Sequence, residues 1–201
     1  AGVLDGIRVL DFGRYIAGPF CGTMLGDLGA EVIRIEKLEG SEDRWVTPVV
    51  DGGEGAMFLQ MGRNKLGLTL NPMKPEGREI VKKLVAVSDV VIANLPYEDL
   101  QKMGIDYDTI AAINPRIILA TTSTFGSEGP YATRVGFDTI GQAMSGAMFL
   151  SGDGEVPTRM NAPFVDFGTA LLNTVGVLAA LIDRARSGKG QKVETALLRT
   201  A

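Results

Sequence analysis

Asp166 has the most capacity for chemistry in this sequence. It stands in Pro163-Phe164-Val165-Asp166-Phe167-Gly168-Thr169-Ala170, a lone carboxylate among apolar neighbours at the head of a long apolar run. Taking an ion out of water is costly unless it is paired, so the placement needs a reason. Two readings stand on local pattern. The carboxylate caps the helix that follows, accepting from its first free N–H groups, or it is a nucleophile kept away from water. A second carboxylate, Asp138 in Gly136-Phe137-Asp138, is expected to cap a short helix from Thr139 to Ser145.

Composition restricts what such groups can do. The 201 residues include no histidine, which excludes Ser-His-Asp and Cys-His nucleophile systems, imidazole proton transfer and most zinc chemistry. Reactions here must run on carboxylates, amines, hydroxyls, backbone amides or a cofactor. The single cysteine, Cys21, precludes a disulfide within the chain and fits a reducing compartment. A formal net charge of -4 offers no footing for nucleic acid. No apolar run is expected to reach bilayer length, and no charged-then-apolar export signal opens the chain, so neither membrane nor export is expected and the cytoplasm is the expected compartment. With 45% hydrophobic and 22% charged residues, the chain has an ordinary globular composition and can bury a substantial core.

The elements that must position these side chains alternate between strand and helix patterns. Strands are expected at Ile7–Phe12, Glu31–Glu36, Leu66–Leu70, Asp89–Asn94, Ile117–Thr122 and Lys192–Thr195. Helices are expected at Pro19–Leu28, Glu76–Val87 after Pro75, Leu100–Met103, Tyr107–Ile113 and Asp166–Arg186. This order predicts an α/β fold, a Rossmann-like, mostly parallel sheet with helices on both faces. Ligands of such sheets bind at the rim formed by the strand C-termini. Two stretches, Glu39–Gln60 and Thr124–Ala162, read as long Gly- and Ser-rich loops, a common site of function on a rigid sheet.

No G-x-G-x-x-G follows the first strand, whose turn reads Gly13-Arg14-Tyr15-Ile16-Ala17-Gly18-Pro19, and no phosphate loop of the G-x-x-x-x-G-K-[ST] kind is present. Gly18-Pro19 still suits a tight turn that brings a helix N-terminus to the rim. Arg34, Lys37, Arg63, Lys65 and Lys102 recur beside predicted strand ends. Each alone reads as solvated charge. Their shared address suggests a polyphosphate ligand, and Asn94 in Asn94-Leu95-Pro96 leaves the fourth strand at the same rim.

Several segments, taken in order, resemble the family III coenzyme A transferases, the group that includes formyl-CoA and crotonobetainyl/carnitine CoA transferases and 2-methylacyl-CoA racemases. They are Leu4-Asp5-Gly6-Ile7-Arg8-Val9-Leu10-Asp11, Ala17-Gly18-Pro19, Leu28-Gly29-Ala30-Glu31-Val32-Ile33-Arg34-Ile35-Glu36 and Arg63-Asn64-Lys65, then Gly126-x-x-Gly129-Pro130-Tyr131, Asp138-x-x-x-Gln142-Ala143-x-Ser145-Gly146 and Ser187-Gly188-Lys189-Gly190-Gln191-x-Val193. The resemblance implies that Asp166 attacks an acyl-CoA thioester, giving a mixed anhydride and then an aspartyl-CoA thioester that an acceptor carboxylate opens. Coenzyme A is then a substrate, with no tightly bound cofactor and no metal. The carboxylate needs no histidine because it is expected to be ionised near neutral pH.

The resemblance also implies CoA contacts at Ile16, Ala17, Gly18, Lys37, Arg63, Lys65, Asn94 and Lys102, and a substrate pocket at Tyr15, Phe137 and Asp138. Ile16 stands where formyl-CoA transferases carry Gln, which points away from oxalate and toward a less polar acyl group. Pro96-Tyr97-Glu98 replaces a basic residue of many members and weakens one phosphate contact. Phe137 stands where the racemases carry a proton-moving His, which disfavours a racemase or isomerase.

Family members run to roughly twice this length. The resemblance therefore makes residues 1–201 the N-terminal part of a large CoA-binding domain, with a small second domain and a return segment outside it. Such chains form interlocked homodimers or pair with a related subunit, so residues 1–201 alone are expected to expose apolar surface. A non-catalytic CoA-binding subunit is the alternative reading, since a helix cap at position 166 would look the same in sequence.

Overall fold

Four consecutive buried residues, Val90 to Ala93, mark the middle of the sheet. Strands buried on both faces need apolar side chains at every position, and these alternate between two cores. Val9, Val32, Val90, Ile92, Ile118 and Ala120 point into one. Leu10, Ile35, Val91, Ala93 and Leu119 point into the other. A computed structural model describes residues 2–201.

The strands are β1 (Arg8–Asp11), β2 (Glu31–Glu36), β3 (Lys65–Thr69), β4 (Val90–Ala93), β5 (Ile118–Ser123) and β6 (Lys192–Ala196). They form one sheet in the order β3-β2-β1-β4-β5-β6, with every neighbouring pair parallel. The expected mostly parallel sheet is thus wholly parallel among the described residues. Its order reverses between β1 and β4, the switch point at which such sheets open a crevice beyond the strand C-termini.

The helices are α1 (Ala17–Asp27), α2 (Ala56–Gly62), α3 (Pro75–Ala86), α4 (Tyr97–Met103), α5 (Tyr107–Ile113), α6 (Asp138–Met144), α7 (Phe164–Ser187) and α8 (Leu197–Thr200). Helices α1 and α7 pack together on the first core, while α3, α4 and α5 cover the second. The backbones of α7 and β6 approach closely at Gly176, where an added Cβ would lie 2.5 Å from Val193 Cγ1. The far end of α7 is tied down by Arg184, which pairs with Asp89 at 2.9 Å and donates to the Arg116 carbonyl at 3.1 Å. Its N-terminus, carrying Asp166, therefore lies at the sheet's C-terminal rim.

Two expectations need correction. Glu39–Gln60 is not a plain loop. It contains a 3-10 turn, Glu42–Trp45, and runs into α2, whose single buried residue, Met61, leaves too little periodicity to read. Secondly, α7 is by length and composition long and apolar enough to cross a membrane. Its buried Asp166, Asn173, Thr174 and Arg184, together with its packing on α1, β5 and β6, make it a core helix. Apolar surface does remain uncovered, at Phe149 and Leu150 and along Leu171, Leu172, Val175 and Ile182 of α7.

Candidate active site

Asp11 ends β1 with a fully buried carboxylate that organises the turn into α1. It accepts from the Gly13 N–H at 2.8 Å and from Lys65 Nζ at 2.7 Å, and the same ammonium donates to the Pro19 carbonyl at 2.7 Å. Burial pushes the Asp11 carboxyl up, but Lys65, Arg34 and the Gly13 N–H outweigh it and hold the pKa below the ordinary value. Asn94, leaving β4, clamps the next residue from both sides. Its Oδ1 accepts from the Arg14 N–H at 2.7 Å and its Nδ2 donates to the Arg14 carbonyl at 2.8 Å. Gly18 packs against that amide so closely that a Cβ would sit 2.9 Å from Asn94 Oδ1.

Tyr15 follows with a φ of 61°, an uncommon conformation for a residue with a side chain. Its N–H donates to Asp43 Oδ2 at 3.0 Å, and Arg34 Nη2 donates to both Asp43 oxygens at 2.8 Å. The 3-10 turn thus holds the β1–α1 turn in shape, and the Tyr15 ring meets Phe137 edge to face at 5.2 Å. Strain of this kind clusters at ligand sites.

Asp138, rather than Asp166, accepts from the free amides at the head of α7. It belongs to the first turn of α6, but it does not cap that helix as expected; its Oδ2 accepts from the Val165 N–H at 2.9 Å and the Asp166 N–H at 3.3 Å. Gln142 donates to the other Asp138 oxygen and also exchanges hydrogen bonds with the Met160 backbone. The first-turn amides of α7 are therefore capped by Asp138, and Asp166, the third residue of the helix, is not the cap. As a residue, Asp166 is 7% exposed. Burial, with the neighbouring Asp138 charge second, pushes its pKa up from 3.8 to about 7. From the sequence alone an ordinary ionised carboxylate is expected; burial shifts the balance toward the protonated form near neutral pH.

Asp166 opens onto a cavity of about 960 Å³ at the switch point, walled by Tyr15, Ile16, Ala17, Asn94, Phe137 and Leu197 among others. A smaller cavity of about 280 Å³ shares Arg14 with it and reaches Lys37, Leu70 and Met103. Of the residues singled out in the sequence, Tyr15, Ile16, Ala17, Asn94, Phe137 and Asp166 meet in the larger cavity, with Gly18 and Asp138 packed behind its wall. Lys37 lines the smaller one, where it pairs with Glu42.

Four of the five basic residues are not brought to either cavity: Arg34 is buried and held by Asp43, and the other three are committed elsewhere. Lys65 is 2% exposed and committed to Asp11, so the structure places it in the core of the turn rather than at a phosphate. Arg63 pairs with Asp27 at 2.7 Å on the surface, and Lys102 lies 3.4 Å from Asp99 on the exposed side of α4. Conversely, Arg14, Arg134, Lys192, Thr122 and Thr124 line the larger cavity without having been singled out. Their only sequence signal was a place in the turn after β1, in the Gly-rich stretch or at a strand end. Among the described residues no three Cys, Asp or Glu side chains gather in a group suited to a metal ion.

A profile of CoA-transferase family III matches residues 4–201. The chain belongs to that family. Among family III proteins, it is 39% identical to the succinate–glutarate CoA-transferase of Agrobacterium fabrum, covering 97% of this chain and 51% of the relative. It is also 39% identical to the beta subunit of the succinyl-CoA–L-malate CoA-transferase of Chloroflexus aurantiacus, covering 96% and 49%. The crystal structure of a CAIB/BAIF family protein from Brucella suis superposes with a TM-score of 0.94 at 41% identity, covering 99% of this chain and 54% of that one. The chain thus spans about half the length of the curated family III relatives it matches. Its six-stranded parallel sheet is an α/β architecture shared with these neighbours.

Proposed function

We propose that this chain carries the nucleophile and much of the CoA site of a CoA transferase, and that Asp166 is that nucleophile. One observation carries the reading. Asp166 is a nearly buried carboxylate at the head of α7, with no protein donor contributing to its titration, and it opens on a large cavity. A carboxylate used only for structure would be paired or would cap, and here Asp138 does the capping.

The reaction balances on this one group. An Asp166 oxygen attacks the thioester carbonyl carbon, the C–S bond breaks, and the CoA thiolate leaves a mixed anhydride. The thiolate attacks the aspartyl carbonyl, which frees the donor acid and leaves aspartyl-CoA. The acceptor carboxylate attacks that thioester, the thiolate leaves again, and its attack on the acceptor carbonyl releases the new acyl-CoA and restores Asp166. No net proton is consumed.

Poor solvation makes the ionised carboxylate more reactive, and a shielded cavity protects the anhydride from water. Helix α1 begins at Ala17 with no side-chain cap, so its first N–H groups are free to stabilise an oxyanion. In this reading coenzyme A lies with its phosphates toward Lys37 in the smaller cavity and its thioester toward Asp166 in the larger one, the two cavities sharing Arg14. The names of the relatives suggest succinyl-CoA as donor and a dicarboxylic acid as acceptor. The uncovered apolar face of α7 suits further chain or a second subunit completing the enzyme.

The test is chemical capture. The intact protein is incubated with succinyl-CoA, treated with hydroxylamine and digested. A hydroxamate on the Asp166 peptide that is lost in Asp166→Asn supports the reading. CoA binding with no adduct would favour a subunit that binds CoA without reacting.

A further inference from the structure

Among the described residues three cationic side chains stand in the wall of the larger cavity, Arg14, Arg134 and Lys192, and they are not equivalent. Arg14 Nη1 is committed to the carbonyls of Phe12, Gly13 and Ile35 at 3.0, 2.8 and 3.3 Å. Lys192 Nζ lies 2.8 Å from Glu194 Oε2. Arg134 has no carboxylate and no carbonyl partner for its guanidinium among the described residues. What holds it is an aromatic shelf: the guanidinium carbon lies over the Tyr131 ring, 4.4 Å from its centroid. Tyr131 in turn packs on Phe125 at 5.3 Å, and the Arg134 N–H closes a turn on the Tyr131 carbonyl at 2.9 Å. Stacking fixes the plane of a guanidinium but leaves its in-plane N–H donors unused.

The cavity therefore combines a buried nucleophile, the apolar walls Tyr15, Ile16, Ala17, Phe137 and Leu197, and one uncommitted, pre-oriented cation. That set matches one class of acyl group. Methylene carbons lie against the apolar walls, and a second carboxylate is repelled by Asp166 and attracted to Arg134. A planar fork of N–H donors is well suited to a carboxylate.

We infer that Arg134 binds the distal carboxylate of a dicarboxylic acyl group and selects such groups over uncharged acyl chains of the same length. The inference rests on the transferase reading and adds a selectivity residue to it. It also accounts for the apolar character of Ile16 and Phe137, which line the path to a charged end rather than signalling an uncharged substrate.

The test compares succinyl-CoA with butanoyl-CoA, which has the same carbon count and no distal charge, in the unaltered protein and in Arg134→Gln and Arg134→Lys. Losing a charge-assisted hydrogen bond should lower kcat/KM for succinyl-CoA by about tenfold to a hundredfold in Arg134→Gln, with butanoyl-CoA changed less than about twofold. Arg134→Lys should recover part of the loss, since it restores the charge without the fork. An equal loss with both esters would assign Arg134 to a CoA phosphate or to packing and overturn the inference, as would no loss with either. Turnover of neither ester by the unaltered protein would overturn the transferase reading, and this inference with it.

Discussion

Replacing Asp166 with asparagine should stabilise the protein while ending the proposed chemistry. In the folded state the carboxyl has a pKa of about 7, against an ordinary 3.8. A raised acid pKa means that the folded state holds the proton more tightly than the unfolded chain. Stability contributed by this group is therefore greatest at low pH, falls as pH rises from about 4 to about 7, and is level above that. At about 1.4 kcal/mol per unit, the shift sets a ceiling of roughly 4 kcal/mol above pH 7.

Asparagine has nearly the size of a neutral carboxyl and does not ionise. Asp166→Asn should therefore exceed the unaltered protein in stability by about 4 kcal/mol at pH 8 and about 1.5 kcal/mol at pH 5, with little difference below about pH 4. Urea unfolding at a series of pH values measures this directly. A variant no more stable than the parent at pH 8, or a difference that does not change with pH, would refute the argument that burial of this carboxylate is uncompensated.

Four further outcomes follow from the same geometry. Transfer at limiting acyl-CoA should rise with pH and level off above about 7, because only ionised Asp166 attacks, and a rate flat across that range would show that the group does not titrate there. Asp138→Asn should move that midpoint down by removing a neighbouring charge, and should cost about 1 kcal/mol through the weakened cap on α7; a midpoint moved up would contradict the assigned cause. Lys65→Met should destabilise the fold by about 3–5 kcal/mol in denaturant unfolding, by leaving Asp11 buried and unpaired. Lys37→Ala should instead leave stability nearly unchanged and weaken CoA binding in a salt-sensitive way, and the reverse pattern would exchange their roles.

The sheet was legible because β4 is an unbroken run of Val, Ile and Ala, and β1, β2 and β5 each place Val, Ile, Leu or Ala in both cores. The head of α7 was equally plain, since one carboxylate interrupts a long apolar helix. What could not be read were pairings across the chain. Asp138 looked like the cap of its own helix because its true partners, the Val165 and Asp166 amides, lie 27 and 28 residues away. Lys65 sits beside a strand end exactly as a phosphate ligand would in sequence, yet its partner Asp11 is 54 residues distant and buried. Helix α2 escaped notice because a short helix with one buried face residue has almost no hydrophobic period. The raised pKa of Asp166 was likewise out of reach, because it depends on which distant side chains, Ala17 and Leu197 among them, close in around the head of α7.

The central claim is that Asp166 exchanges an oxygen atom with its substrates. In the proposed sequence of attacks, the donor acid departs with an oxygen that belonged to Asp166, and the acceptor leaves one of its own in exchange. Turnover of the intact protein with unlabelled succinyl-CoA and an acceptor acid labelled with heavy oxygen, followed by mass spectrometry of the Asp166 peptide, reads this directly. The account predicts heavy oxygen in that peptide after turnover and none in a control lacking the donor. New acyl-CoA formed in quantity with the peptide left unlabelled would mean that CoA moves by another route.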